Sequence, residues 1–363
     1  MKDSRDVIDA LFRNQPASRM GLNDSPWGDT IEKWVTQGYP TDDEGNAISS
    51  EKHFDFDITG CGGWYAWEPW PGTDETIEET DAWSITRNGA GGVLKWWKHQ
   101  SGTPEHIDFA MTSRDVWDRD FRPAYTDYSD PSRCDIEGTR KALANKGDKF
   151  ATFGHQFMWE NMRASLGDYV MLTSLIEDPD WIHDMGRVYT DLTKAQYKLL
   201  FEEAGKPDAV FIYEDLGYKG SLFCNPKLME DLIFPYYKEM VDFYHSYDLP
   251  VMLHACGYIE EVMPLIAQAG FDGLNPMEAK AGNDLFKYAE QYGDQLTFVG
   301  GFDARILERG DKAEIRQGVT DFITGLKDRG ARVVFGSDHS LSTNIDYDDF
   351  VYAIEVYREQ MAY

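Results

Sequence analysis

The sequence predicts an α/β fold, a (β/α)8 TIM barrel with an N-terminal extension, and three observations carry that expectation. Leu249-Pro-Val-Met-Leu253 is an apolar run that closes on His254-Ala255-Cys256-Gly257. The same form returns in Phe271-Asp-Gly-Leu-Asn-Pro-Met-Glu278, Leu296-Thr-Phe-Val-Gly-Gly-Phe-Asp303 and Arg332-Val-Val-Phe-Gly-Ser-Asp-His339. Between these runs lie segments with helical spacing, so short buried strands alternate with helices and deliver polar side chains at their C-terminal ends. A parallel barrel places its chemistry at that end.

Taken in order, Asp6–Arg13 and Thr30–Gln37 carry helical spacing, and His53–Thr59 alternates as a half-buried strand does. Residues 61–125 are rich in Trp and Gly and read as short strands and loops, with a hairpin turning at Asn88-Gly89. Asp115–Phe121 starts a helix. From about 136 the strand–helix rhythm sets in: helix over Ile136–Asn145, strand over Lys149–His155, and a helix opening at Asp178-Pro179 and running to about Ala204. Ala209–Asp215 is the next strand and Pro226–Tyr247 the next helix. Helices over Tyr258–Gln268, Asn283–Tyr292, Lys312–Asp328 and Asp348–Met361 complete the barrel pattern. The expected division is a cap over residues 1–70 and the barrel over 71–363.

Composition excludes several function classes. The 363 residues carry 64 acidic against 35 basic side chains, a net charge of −29. Such a field repels nucleic acid and anionic membrane surfaces, so neither is an expected partner. No apolar run approaches the roughly 18 residues of a membrane span, and the N-terminus lacks the apolar core of a signal peptide. Cys61, Cys134, Cys224 and Cys256 are too few and too scattered for a disulfide framework. A cytoplasmic enzyme is the expectation. No glycine-rich phosphate loop and no nucleophile elbow are present.

His254 and Cys256, two residues apart, point to one side of a strand end. With Gly270–Glu278, Gly300-Gly-Phe-Asp303, Asp338-His339 and the stretch Trp97–Phe109, they make the chain resemble the uroporphyrinogen decarboxylase superfamily over roughly residues 80–363. More narrowly it is similar to the methyltransferase branch that works with corrinoid proteins. That resemblance implies a His-x-Cys zinc motif at His254 and Cys256, with Glu278 and His339 as further metal ligands. Thiol-activating relatives supply a second Cys near the last strand. This chain has none after Cys256, and Asp338-His339 stands there instead. A carboxylate and imidazole set is harder than a two-thiolate set and favours oxygen at the open position. The implied activity is therefore methyl transfer between a small methoxylated substrate and a corrinoid protein, an O-demethylase type of chemistry. The resemblance also implies a homodimer.

Tyr213, Glu214 and Asp215 end another strand and are the expected proton donors; adjacent strand residues face opposite ways, so one of Glu214 and Asp215 enters the site. His155, Gln156, Trp159 and Asp303 are the expected substrate-binding residues. Trp64, Tyr65, Trp67, Trp70, Trp96 and Trp97 read mainly as packing, a few of them free to wall a pocket for a flat substrate. Two alternatives stay open: a uroporphyrinogen-type decarboxylase, although the Arg-Gln-Ala-Gly-Arg motif of those enzymes is missing, and a non-catalytic small-molecule-binding barrel.

Overall fold

The structure is a computed structural model that describes residues 3–363. Eight parallel strands make its central sheet: β1 (Gly21–Leu22), β2 (Ile58–Gly60), β3 (Phe150–Gln156), β4 (Ala209–Tyr213), β5 (Val251–His254), β6 (Gly273–Asn275), β7 (Thr297–Val299) and β8 (Val333–Phe335). From β2 to β8 each pairs with the next strand in sequence, and β8 pairs with β1. The remaining seam, between β1 and β2, is drawn together by Asp57. Its backbone N–H donates to Leu22 O at 2.8 Å while its carboxylate accepts from Leu22 N at 2.7 Å and from both Arg19 guanidinium ends at 2.7 Å. Asp57 is buried, and a buried carboxylate needs this fork to offset its lost hydration.

Alternation along the strands separates two cores. Ala209, Met252, Val299 and Val334 point into the barrel, where they meet Val7, Ile8, Leu11 and Phe12. Val210, Ile212, Val251 and Leu253 point outward into the larger core beneath the helices. The helix Ser4–Phe12 thus plugs the N-terminal end of the barrel, with Asp3 capping its first turn. The first 70 residues, expected to form a cap, in fact supply this plug and two of the eight strands. Their strands are two and three residues long, too short for periodicity to reveal.

Two elements differ from expectation for local reasons. His53–Thr59 is not one strand: a helix, Ser50–Phe54, ends at Asp55 with φ 60°, and only Ile58–Gly60 pairs. Its apparent alternation comes from Phe54 and Phe56, which stack at 5.6 Å in the outer core. Pro226–Tyr247 is two helices, Pro226–Leu232 and Phe234–His245, because Pro235 lacks the N–H that a continuous helix would use. The expected hairpin belongs to a four-stranded antiparallel sheet of Glu75–Glu79, Trp83–Arg87, Gly92–Trp97 and Glu105–Phe109. Asn88 holds its turn by accepting from Ala90 N and Gly92 N. Among the described residues, no helix is long and apolar enough to cross a membrane.

Candidate functional site

Parallel register builds the site. Tyr213 on β4 lies beside His254 on β5, which lies beside Asn275 on β6, so three polar side chains form one row at the C-terminal end of the barrel. They face a cavity of about 410 Å³, walled by Phe211 and Trp27 and floored by the strand ends. Asp215 and Cys256 enter the same cavity from the next inward positions, two residues beyond Tyr213 and His254.

His254, Cys256 and Asp215 converge. His254 Nε2 lies 3.1 Å from Cys256 Sγ and 3.5 Å from Asp215 Oδ1. Their ligand-capable atoms all fall within 4.8 Å of one another, and among the described residues no other set of three or more His, Cys, Asp or Glu does so. Asn275 sets the imidazole: His254 Nδ1–H donates to Asn275 Oδ1 at 2.6 Å, and Asn275 Nδ2 donates to Val299 O at 2.8 Å. Nε2 is left as the acceptor, aimed at the cluster. Burial lowers the His254 pKa, keeping the ring neutral, and burial together with the Asp215 charge pushes the Cys256 thiol up.

The loops carrying these groups are pinned by backbone contact. Gly217 N donates to Cys256 O at 3.1 Å and Tyr258 N to Tyr218 O at 2.9 Å. A Cβ on Gly257, whose φ is 77°, would lie 2.3 Å from the Gly217 backbone, so the approach requires glycine.

Of the other expected ligands, Glu278 and His339 stand outside the cluster. Glu278 accepts from Gly257 N at 3.0 Å and pairs with Lys280 at 3.2 Å, so its oxygens hold the loop rather than face the cavity. His339 lines the cavity but packs on Trp27, ring centroids 6.4 Å apart. Asp338 bridges two loops by accepting from Ala279 N and Ala304 N.

The expected acids divide as alternation requires. Glu214 faces away from the cavity: fully buried, it accepts from Phe157 N at 2.7 Å, Trp159 N at 2.8 Å and the Tyr237 hydroxyl. It anchors the start of the helix Met158–Glu177, and burial raises its pKa to about 8. Tyr213 stays in the cavity, stacked on Trp64 at 5.3 Å, with burial raising its phenol pKa. Asp215 joins the cluster.

The expected substrate-binding residues scatter. His155 is buried, donating from Nδ1 to Gln156 O at 2.7 Å and accepting from Tyr244 at 2.8 Å, and burial lowers its pKa to about 4. Gln156 and one edge of His155 border a separate depression of about 260 Å³ behind Trp64. Trp159 is wholly buried. Asp303 pairs with Arg305 at 2.7 Å beside an outer groove.

Asp24 escaped the sequence reading. It follows β1, lines the cavity, and accepts from Ser337 N at 2.9 Å and Ser337 Oγ at 2.8 Å, with burial raising its pKa to about 6. Leu22-Asn23-Asp24 repeats the strand-then-acid pattern of the other sites, hidden by a two-residue strand. Asp24, Glu51 and Asp215 are the carboxylates of the cavity lining, and among the described residues no Lys or Arg joins them there.

Residues 162–360, more than half of the chain, match the family described as Uroporphyrinogen decarboxylase (URO-D). No curated protein sequence matches. Among solved structures, a methyltransferase from Methanosarcina mazei superimposes with a TM-score of 0.66 at 13% identity, covering 99% of each chain, which establishes a shared fold. An uncharacterized protein aligns over 45% of this chain and 43% of its own at 13% identity, with a TM-score of 0.27.

Proposed function

The chain belongs to the uroporphyrinogen decarboxylase family, and from that premise we propose that it is a metal-dependent methyltransferase, moving a methyl group between a small methoxylated substrate and a corrinoid protein. The observation that carries this reading is the convergence of an imidazole, a thiol and a carboxylate in the barrel mouth. The fold shared with a methyltransferase supports it.

The donor set fits a zinc-like ion. One nitrogen, one sulfur and one oxygen make three protein ligands beside an open cavity, the arrangement of a catalytic rather than a structural site. The oriented Nδ1–H of His254 is the customary support for such a ligand. When bound, the ion supplies Lewis-acid polarisation of the substrate oxygen.

The chain's own groups do the rest. Asp215, His254 and Cys256 would hold the ion, and Asn275 fixes the imidazole. Phe211 and Trp27 line the cavity and would shield the methyl group from water. Tyr213 Oη keeps a proton at the cavity wall and is placed to give it to the departing oxygen. In balance, the methyl C–O bond breaks with its electron pair left on oxygen, which takes a proton. A corrinoid partner, when docked, would supply the acceptor that takes the methyl group.

The cavity's charge weighs against the decarboxylase reading. A porphyrinogen carries several carboxylates, and a mouth lined by Asp24, Glu51 and Asp215 offers no Lys or Arg among the described residues to pair with them. A barrel that only binds a small molecule needs no three-ligand cluster.

The test mixes zinc-loaded protein, methoxybenzene and free cob(I)alamin and follows methylcobalamin formation by absorbance. The reading expects turnover that falls at least about 100-fold in Cys256→Ser. Absence of transfer by the wild-type protein, or unchanged transfer by the variant, contradicts it.

A further inference from the structure

The mouth cavity does not end at Trp27. A second cavity of about 310 Å³ shares Trp27 and Thr103 with it and is walled otherwise by Trp96, Trp97 and the loop Gln100–Pro104. This outer chamber is built by the antiparallel sheet, which lies outside the family-matched residues 162–360. Neither the metal cluster nor the methyl-transfer chemistry accounts for it.

Its walls are fixed in place. Trp97 Nε1 donates to Glu105 at 2.8 Å, and the Lys95 ammonium lies 4.3 Å from the Trp97 ring centroid. Trp83 meets the same ring edge-on at 5.8 Å. The loop is strapped to the barrel by Ser101 N, which donates to Asp29 at 3.0 Å. The Trp27 backbone is tied by its main-chain N–H to Leu341 O at 3.1 Å. Even so, Trp96 and Trp97 leave 43% and 44% of their surface open to solvent. Large indole rings left uncovered at the rim of a cavity, one of them braced by Glu105, Lys95 and Trp83, mark a binding surface rather than packing.

We infer that this chamber is a second subsite, which takes the non-reacting end of the substrate, a flat and uncharged apolar ring system. Three indoles offer stacking faces for such a group. No Lys or Arg lines either cavity among the described residues, and the Lys95 ammonium on the Trp97 ring is already paired with Glu105 at 3.8 Å, so the chamber favours an uncharged ring over one bearing a carboxylate. The substrate then runs from the cluster, past Trp27, to Trp96, with its methoxy group at the inner end. This inference rests on the methyltransfer reading and deepens it.

Calorimetric titration of the full chain with methoxybenzene and with 2-methoxynaphthalene, zinc-loaded and after chelation, tests it. The two probes share a methyl ether and differ by one fused ring. The wild-type protein is expected to bind the two-ring probe about tenfold more tightly, from the added apolar area buried. Trp96→Ala should remove that gain while leaving methoxybenzene binding unchanged, which also reports that the variant folds. Thr103→Phe, at an exposed position that lines both chambers, should lower the affinity ratio of the two-ring to the one-ring probe without touching a Trp. Zinc-dependent binding of both probes with an affinity ratio unaltered by either variant overturns the subsite and leaves the methyltransfer reading standing. No zinc-dependent binding of either probe removes both.

Discussion

Asn275 holds His254 in one orientation: its Oδ1 accepts from His254 Nδ1 at 2.6 Å, and its own amide is locked by donation to Val299 O at 2.8 Å. The pair is a product of parallel register, since the two residues are direct neighbours across β5 and β6. The ring has one free nitrogen, and it points at Cys256 and Asp215.

Asn275→Ala therefore removes the group that fixes the tautomer without removing a ligand. Zinc affinity should fall by about 10- to 100-fold, read by competition with a chelating dye, while thermal unfolding of the metal-free protein shifts by only a few degrees. An unchanged affinity would show that Asn275 does not orient the ligand.

Gly257→Ala should damage the site through the backbone. The new Cβ meets the Gly217 carbonyl carbon and oxygen at 2.3 Å and must be borne at φ 77°. The cost is about 1–3 kcal/mol in denaturant unfolding, accompanied by weaker zinc binding because Asp215 and Cys256 ride on the two loops forced apart. Loss of stability with intact zinc affinity would separate the two effects and refute the link.

Glu214→Ala should destabilise the fold rather than remove a proton donor. It leaves the buried N–H groups of Phe157 and Trp159 and the Tyr237 hydroxyl without a partner, a cost of about 3 kcal/mol. A variant that keeps wild-type stability but loses turnover would instead restore Glu214 as the proton donor.

His155 gives the protein a pH dependence. Its folded pKa is about 4 against 6.5 unfolded, so between those values the unfolded chain binds the extra proton. Stability contributed by the neutral ring is present above pH 6.5 and is lost as pH falls toward 4, up to about 3 kcal/mol. Denaturant titrations at pH 7 and pH 4.5 should show this loss, and His155→Gln should flatten it. Equal pH slopes for the two proteins would contradict the assignment.

The later strands were legible because they are apolar runs that end in chemistry. His254 and Cys256 stood out by i, i+2 spacing, and alternation allowed only one of Glu214 and Asp215 into the site without saying which. What sequence did not carry was which acid meets His254. Glu278 and His339 sit at strand ends as Asp215 does, but Glu278 is consumed by Gly257 N–H and Lys280, a loop contact with no periodic signal. β1 was hidden by its brevity, and Asp24 with it, and β2 was read only as the tail of a longer strand over His53–Thr59. The two short strands owe their place to Asp57 and Arg19, a pairing across 38 residues that no local window contains.

The most direct measurement is the zinc content, by mass spectrometry, of chelator-free preparations of the wild-type protein and single variants. One ion per chain in the wild type, lost in Asp215→Asn, His254→Ala and Cys256→Ser but kept in Glu278→Gln and His339→Ala, is the expected result. Metal-free wild-type protein that takes up no added zinc, or an ion lost through Glu278 and His339 but not Asp215, would contradict the proposed centre.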